Sequence, residues 1–238
     1  PAAPHRVDLF DPCVLASCAC SGVAVRFPQS ACHPSTDGGF PVAVDAVRNA
    51  GEMSDAPPPG IEPLPGRVTS PRLTLRRWHH DEAAALSAGV AASLEHLRPW
   101  MPWARFEPLT LTERVRLIEG WTRDWEEGGD VVFGVFLDGE MIGGAGLHRR
   151  SGPGTLDIGY WIHVDHVRHG YATELTAALT TTAFGIDDIQ VVHVQTDEAN
   201  EASASVPAKL GFRRSATSTR VPEAPAESGH LIDWTMTP

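Results

Sequence analysis

Residues 168–173 read RHGYAT, a basic pair, one glycine and small residues that lead directly into a helix-forming stretch. Where such a segment follows a strand, the first N–H groups of the helix have no partners within it and carry the positive end of its dipole. Gly170 permits a tight turn and Ala172 keeps the wall low, so the amides of residues 169–173 form a cradle that a bulky diphosphate can approach at the backbone. The two commoner phosphate loops are missing. A P-loop needs G-K-[ST] after a longer loop, and a dinucleotide fold needs G-x-G-x-x-G near the first strand, so triphosphate hydrolysis and hydride transfer lose support.

Metal chemistry fits poorly. His163, His166 and His169 recur every third residue, but they cross a strand end and a loop instead of lining one helix face, and no carboxylate pattern accompanies them. Cys13, Cys18, Cys20 and Cys32 all lie in the first 32 residues in the order C-x4-C-x-C-x11-C, with His33 adjacent, which matches no paired zinc spacing. The rest of the chain therefore has no disulfide framework and no cysteine nucleophile. No metal is expected.

The 238 residues, 42% of them hydrophobic, suffice for one domain with a real core. A net charge of −11 without a basic patch argues against nucleic acid or an anionic membrane as partner. Every apolar run is short of the ~20 residues that span a bilayer, and no charged segment followed by an apolar run opens the chain, so a cytoplasmic location is expected. Residues 1–52 are rich in Pro, Ala, Gly and Ser without a sustained period and read as a disordered leader or non-native extension ahead of Met53. Residues 53–66 read as a Pro-rich linker, which leaves 67–238 as the ordered domain.

The elements that must position the cradle follow from periodicity. RLTLRRW alternates as a strand, and HHDEAAALSAGV starts an alanine-rich helix. SLEHLRPWMPWARF can be at most a broken helix because of its prolines, whereas TLTERVRLIEGWTRDWEEG carries an apolar stripe of Val115, Ile118, Trp121 and Trp125. VVFGVFL, the turn Asp138-Gly139 and EMIGGAGLHRR form a hairpin, and LDIGYWIHV is the next strand, with a bulge or close backbone approach expected at Gly159. A helix over YATELTAALTTTAFG, a strand QVVHVQTD, a short helix EASASVPAKLG with Pro207 inside it, and two closing strands complete a mixed α/β order.

Taken in order, TSPRLTLRRW, SLEHLRPWMPW, DIGYWI, RHGYATE and NEASASVPAKLGF resemble the GNAT superfamily of N-acetyltransferases, closest to the RimJ/RimL-like branch that acts on ribosomal-protein N-termini, over residues 68–238. The resemblance implies an α/β (α+β) fold, a mixed, mostly antiparallel sheet with a bulged, splayed central strand pair flanked by helices. It implies acetyl-CoA as cosubstrate and an amine acceptor that attacks the thioester directly in a ternary complex, with no covalent enzyme intermediate; it also suggests a homodimer.

In that family the diphosphate would lie on Arg168, His169, Gly170, Tyr171, Ala172 and Thr173, and the pantetheine arm along Tyr160, Trp161 and Ile162, with Asn200 bonding its amides or only capping a helix. Val167 stands where the family usually has a basic or amide residue, which predicts weaker or differently balanced diphosphate binding. Gln195 stands where several relatives carry a glutamate, so Asp157 is the preferred carboxylate for orienting or deprotonating the amine, ahead of Glu223 and His148. Many family members use a tyrosine as donor to the leaving thiolate; Tyr160 and Tyr171 are assigned elsewhere here, and the resemblance implies Ser203, which matches the serine of the RimL-like branch three residues after Asn200, with bonding to its own helix backbone as the alternative. Trp100, Met101 and Trp103 would wall the acceptor, with His148 on the neighbouring strand. The alternatives are a catalytically weak acyl-CoA sensor or scaffold, favoured by Val167 and Gln195, and an antibiotic or polyamine acceptor.

Overall fold

The computed structural model describes residues 63–238; the expected leader and all but the last residues of the expected linker lie outside the described residues. Eight strands form one open sheet: β1 (Arg67–Thr69), β2 (Leu73–Arg77), β3 (Val131–Leu137), β4 (Glu140–His148), β5 (Thr155–Ile162), β6 (Val191–Asp197), β7 (Arg213–Thr219) and β8 (His230–Met236). Their spatial order is β1-β2-β3-β4-β5-β6-β8-β7. The β5–β6 neighbours are parallel, and the other neighbouring pairs are antiparallel. Four helices accompany the sheet: α1 (Ala83–Leu97), α2 (Leu111–Glu126), α3 (Tyr171–Phe184) and α4 (Glu201–Lys209).

Local chemistry accounts for most of these elements. Asp138 (φ 49°) and Gly139 (φ 89°) both take positive φ, the requirement of a type I′ hairpin turn, and join β3 to β4 as expected. Thr110 and Glu113 form a reciprocal capping box that starts α2. SLEHL continues α1 to Leu97, and the prolines then impose a short 3-10 turn over Pro102–Phe106 in place of a longer broken helix. Pro207 is accommodated in the short α4.

Side chains divide by face. Leu156 and Ile158 of β5 pack with Leu175 and Leu179 of α3 in the main core, where all four are 2% exposed or less. The other face meets α1 and α2: Trp78, Leu86, Val90, Ile118 and Phe136 form a second cluster, and Trp161 packs against it. Period-two alternation thus aims neighbouring residues of β5 into different chambers.

The feature that makes a site is a parting of two strands. β5 pairs with β4 without interruption from Asp157↔His148 to Ile162↔Gly143. With β6 it pairs only through Thr155↔Val191, Leu156↔Val192 and Asp157↔His193, while β6 stays with β8 as far as Asp197↔Leu231. The expected bulge at Gly159 is corrected on this point: Gly159 sits in register opposite Gly146, and the opening comes from β5 and β6 separating after Asp157. The observed register shifts fall instead at Val135/Phe136 and Arg214/Ala216.

Candidate active site

The cradle is built at the start of α3. Arg168 (φ 64°) and Gly170 (φ 80°) both adopt left-handed backbone, and a side chain at 170 would be strained there whatever the free space. The first helical hydrogen bond runs from the Glu174 N–H to the Gly170 carbonyl, so the amides of Tyr171, Ala172 and Thr173 have no partner inside the helix. Val167 packs against the main core and anchors the loop, which explains an apolar residue where a basic one was anticipated. A cation comes to this rim from 97 residues away. Arg72 lies over the Tyr171 ring (4.6 Å to its centre), donates to the His169 carbonyl (3.3 Å) and pairs with Glu174 (2.6 Å). Neither Arg72 nor Glu174 was singled out from sequence, because their meeting depends on how α3 docks beside β2.

Between β5 and β6 the parted strands enclose a gap lined by Ile158, Gly159, Tyr160, Val194, Gln195, Asn200 and Ser203, with Trp100 and Met101 over it and Arg220 and Glu227 at its far side. Asn200 Oδ1 accepts from the Ser203 N–H (3.1 Å), a cap for α4, so the asparagine's helix role is realised. The Tyr160 hydroxyl is corrected from its sequence-based assignment as a backbone contact alone. Its side chain crosses the gap to Ser203, 3.3 Å from Oγ and 3.2 Å from the carbonyl, so two hydroxyls stand together where one was anticipated.

Two buried polar atoms of gap-lining residues, Gln195 Oε1 and Arg220 Nε, have no hydrogen-bond partner among the described residues. Gln195 spends its NH2 on Asp233 (2.6 Å), which leaves its carbonyl as the free acceptor. A buried acceptor and a buried donor without partners are costly unless something occupies the gap, and an amide-bearing arm supplies the complementary groups.

A second cavity opens on the α1/α2 side, walled by Trp78, Trp103, Trp121, Trp161 and Phe133, with Leu86, Val90 and Leu117 behind. Trp103 and Trp161 face each other at 6.4 Å. The structure therefore splits the anticipated acceptor wall: Trp103 lines this chamber, Trp100 lines the gap, and Met101 lines both. Set in the apolar wall is a bidentate ion pair, Arg114 Nη2 to Glu107 Oε1 (2.6 Å) and Oε2 (2.7 Å), whose side chains are 4% and 6% exposed. Helical spacing marked Val115 and Ile118 as apolar positions but had no means of marking Arg114, because its partner lies before the helix begins.

The two chambers share Met101, Gly159 and Tyr160. His148 lines the aromatic chamber at this junction. Asp157 does not reach it, which corrects its choice as the carboxylate for the amine: it lines neither chamber, and its carboxylate is occupied by the Ser151 hydroxyl (2.6 Å), the Ser151 N–H (3.0 Å) and His193. Burial opposes its ionisation, but the hydrogen bonds from His193 and Ser151 and the His193 charge hold its carboxyl below the ordinary range, which makes it a weak base. His193 is held between Asp157 and Asp233; burial pulls its pKa down, and the two carboxylates outweigh this and raise it. Glu223 is engaged with Arg220 on the surface.

Among the described residues no group of three or more histidine, cysteine, aspartate or glutamate side chains comes together as a metal site, and no described helix is long and apolar enough to cross a membrane. His163 and His166 meet edge-on at 5.8 Å, and His169 stacks on Tyr171.

This arrangement, an anion cradle leading to a parted parallel strand pair, defines a class. Residues 72–213 match the acetyltransferase (GNAT) domain, and the chain belongs to that family. It is an acetyl-CoA-dependent N-acetyltransferase. Among its relatives, it is 26% identical to a putative ribosomal N-acetyltransferase, YdaF, of Bacillus subtilis over 141 residues, 59% of this chain and 77% of the relative. Its fold is like that of RimL, a ribosomal L7/L12 alpha-N-protein acetyltransferase solved with coenzyme A, at a TM-score of 0.66 and 18% identity over 72% of this chain and 97% of the other. It is also like Mycobacterium smegmatis RimJ solved with CoA-disulfide, at 0.61 and 24% over 72% and 86%. At these identities the two structures speak to the fold alone.

Proposed function

We propose that the protein acetylates the α-amino group of a protein chain, with the acetyl donor in the β5–β6 gap and the acceptor entering through the aromatic chamber. The observation that carries this reading is that two cavities, the more polar one lying toward α4 and the more apolar one roofed by α1 and α2, are both lined by Gly159 and Tyr160. A ternary complex needs such a junction, since the amine must come to the thioester from the side that the donor does not fill. The naming of YdaF as a putative ribosomal N-acetyltransferase supports a protein acceptor. An apolar chamber without a free carboxylate suits a polycationic polyamine poorly.

In this reading Arg168 to Thr173 hold the diphosphate through main-chain amides, with Arg72 adding charge at the rim. The backbone of Tyr160, Trp161 and Ile162, on the free edge of β5, and Asn200 with Gln195 hold the pantetheine arm. Ser203 and the adjoining Tyr160 hydroxyl donate to the sulfur as the C–S bond breaks. The sensor alternative rested on Val167 and Gln195; the first packs as an anchor and the second offers a free acceptor to the arm, so neither argues against turnover. We place the protein in the cytoplasm, as one domain over residues 67–238, in a homodimer as the family resemblance implies.

The test is thioester turnover with a panel of peptide and small-molecule amines, followed by free-thiol release and product mass. Acetylation at a peptide α-amine is the expected result. Coenzyme A binding without thiol release toward any amine would restore the sensor alternative.

A further inference from the structure

The acetyl transfer just described needs a base, and neither residue position considered first for it, Gln195 or Asp157, can serve. His148 is 6% exposed and lies across β4 and β5 on the aromatic-chamber face. Its ring nitrogens have distinct surroundings. Nδ1 is 2.7 Å from Asp130 Oδ2 and 3.0 Å from Arg150 Nη2, which itself lies 3.0 Å from the same carboxylate oxygen. Two lone pairs 2.7 Å apart with no proton between them would repel, so the Asp130 carboxylate requires the proton to sit on Nδ1, and Arg150 spends its hydrogen on Asp130.

Nε2 is then the unprotonated nitrogen. It lies over the glycines of both strands: a Cβ would come within 2.5 Å of it at residue 146 and 3.4 Å at residue 159. Gly159 is one of the three residues shared by the two chambers, so Nε2 lies beside their junction. Other charged groups near the imidazole are Asp124 from the end of α2, Asp157 opposite it in the β4–β5 register, and the Glu107–Arg114 pair farther along the chamber wall. Asp124 and Asp157 are each engaged, Asp124 accepting from the Asp130 N–H.

We propose that His148 is the catalytic base that takes a proton from the acceptor ammonium, and that Asp130 is the positioning residue that fixes its tautomer. The inference rests on the transfer reading above and deepens it. Nε2 accepts one proton from R–NH3+, and the neutral nitrogen attacks the thioester carbonyl. As the C–N bond forms and the C–S bond breaks, the second nitrogen proton is lost and the thiolate gains one. The proton on His148 then leaves to solvent, and the Asp130 charge stabilises the imidazolium meanwhile. The position of the ring also explains one glycine of β4: a Cβ at residue 146 would collide with it.

The experiment compares wild type, H148Q and D130N with acetyl-CoA and two acceptors, phenylalanyl-glycine amide and a phenylacetyl hydrazide whose terminal nitrogen is already neutral at the assay pH. H148Q should keep its calorimetric affinity for coenzyme A within about twofold and lose about 100- to 10,000-fold in kcat/KM for the dipeptide, with a much smaller loss for the hydrazide. In D130N, kcat for the dipeptide should fall about tenfold or more with KM little changed, again with a much smaller loss for the hydrazide. If H148Q loses coenzyme A affinity as well, D130N decides. Retention by either coenzyme-binding variant of the wild-type rate with the dipeptide within about threefold, or an equal loss with dipeptide and hydrazide, would overturn the assignment. Absence of thiol release from wild type with every amine would overturn the transfer reading and this role with it.

Discussion

The donor half and the acceptor half of the site are held by different means. The cradle is main chain: three free amides of one helix start, set by two left-handed residues, Arg168 and Gly170, within a single loop. The acceptor chamber is side chain: Asp130 precedes β3, His148 ends β4, Trp161 lies on β5, Trp103 sits in a 3-10 turn, and Trp121 and Arg114 come from α2. A site made of backbone binds what the fold binds and tolerates changes of side chain such as Val167. A site made of side chains discriminates, because each wall can be replaced separately.

That contrast can be broken or sharpened by experiment. The largest effect is expected on the acceptor side: peptides beginning with Phe or Leu should exceed those beginning with Ser by about 10- to 150-fold in kcat/KM, since burying a large apolar side chain among the tryptophans is worth about 1.5–3 kcal/mol. Equal rates across the panel would mean that the chamber does not hold the first residue. Next, Gly170→Val forces a β-branched residue into left-handed backbone at about 1–2 kcal/mol, so the coenzyme A dissociation constant should rise roughly tenfold while the acceptor KM stays put. An unchanged coenzyme affinity by calorimetry would contradict the cradle.

Smaller still is S203A, for which a several-fold fall in kcat, about fivefold, is expected, because the Tyr160 hydroxyl 3.3 Å away remains to donate; the double change with Y160F should cost more than the product of the two single losses. Additive losses would separate the two hydroxyls. At neutral pH the smallest effect concerns stability. Burial works against ionisation of Asp130, yet its bond to His148, the His148 charge, the Arg149 N–H and Arg150 hold its pKa at about 2. A depressed carboxylate stabilises the fold above the unfolded-state value near 3.9 and loses that contribution as pH falls through the folded value. The wild type should therefore lose about 2 kcal/mol of unfolding free energy between pH 5 and pH 2 through this group, a portion absent from the acid denaturation of D130N.

Much of the fold was legible in residue order because it is written in local conformation. Asp138-Gly139 carries its own turn, Thr110 and Glu113 cap the helix they begin, and RHGYAT places glycine where the chain needs positive φ. Asn200 and Ser203, three residues apart, belong to the same case. Such features are decided by sterics and hydrogen bonds within a few residues, so the sequence alone determines them, together with the alternation that assigns β5 residues to two faces.

What only the tertiary structure decided lies in pairs distant along the chain. Arg72 reaches His169, and Tyr160 reaches Ser203. The choice between Asp157 and His148 as base turned on register: β5 and β6 remain paired through Asp157↔His193, which puts a histidine against that carboxylate, while the next residues part and leave the Gly159 junction open to His148. A shift of one residue in that pairing would exchange the faces, and no local preference specifies it; it is selected by the packing of the whole sheet against its helices.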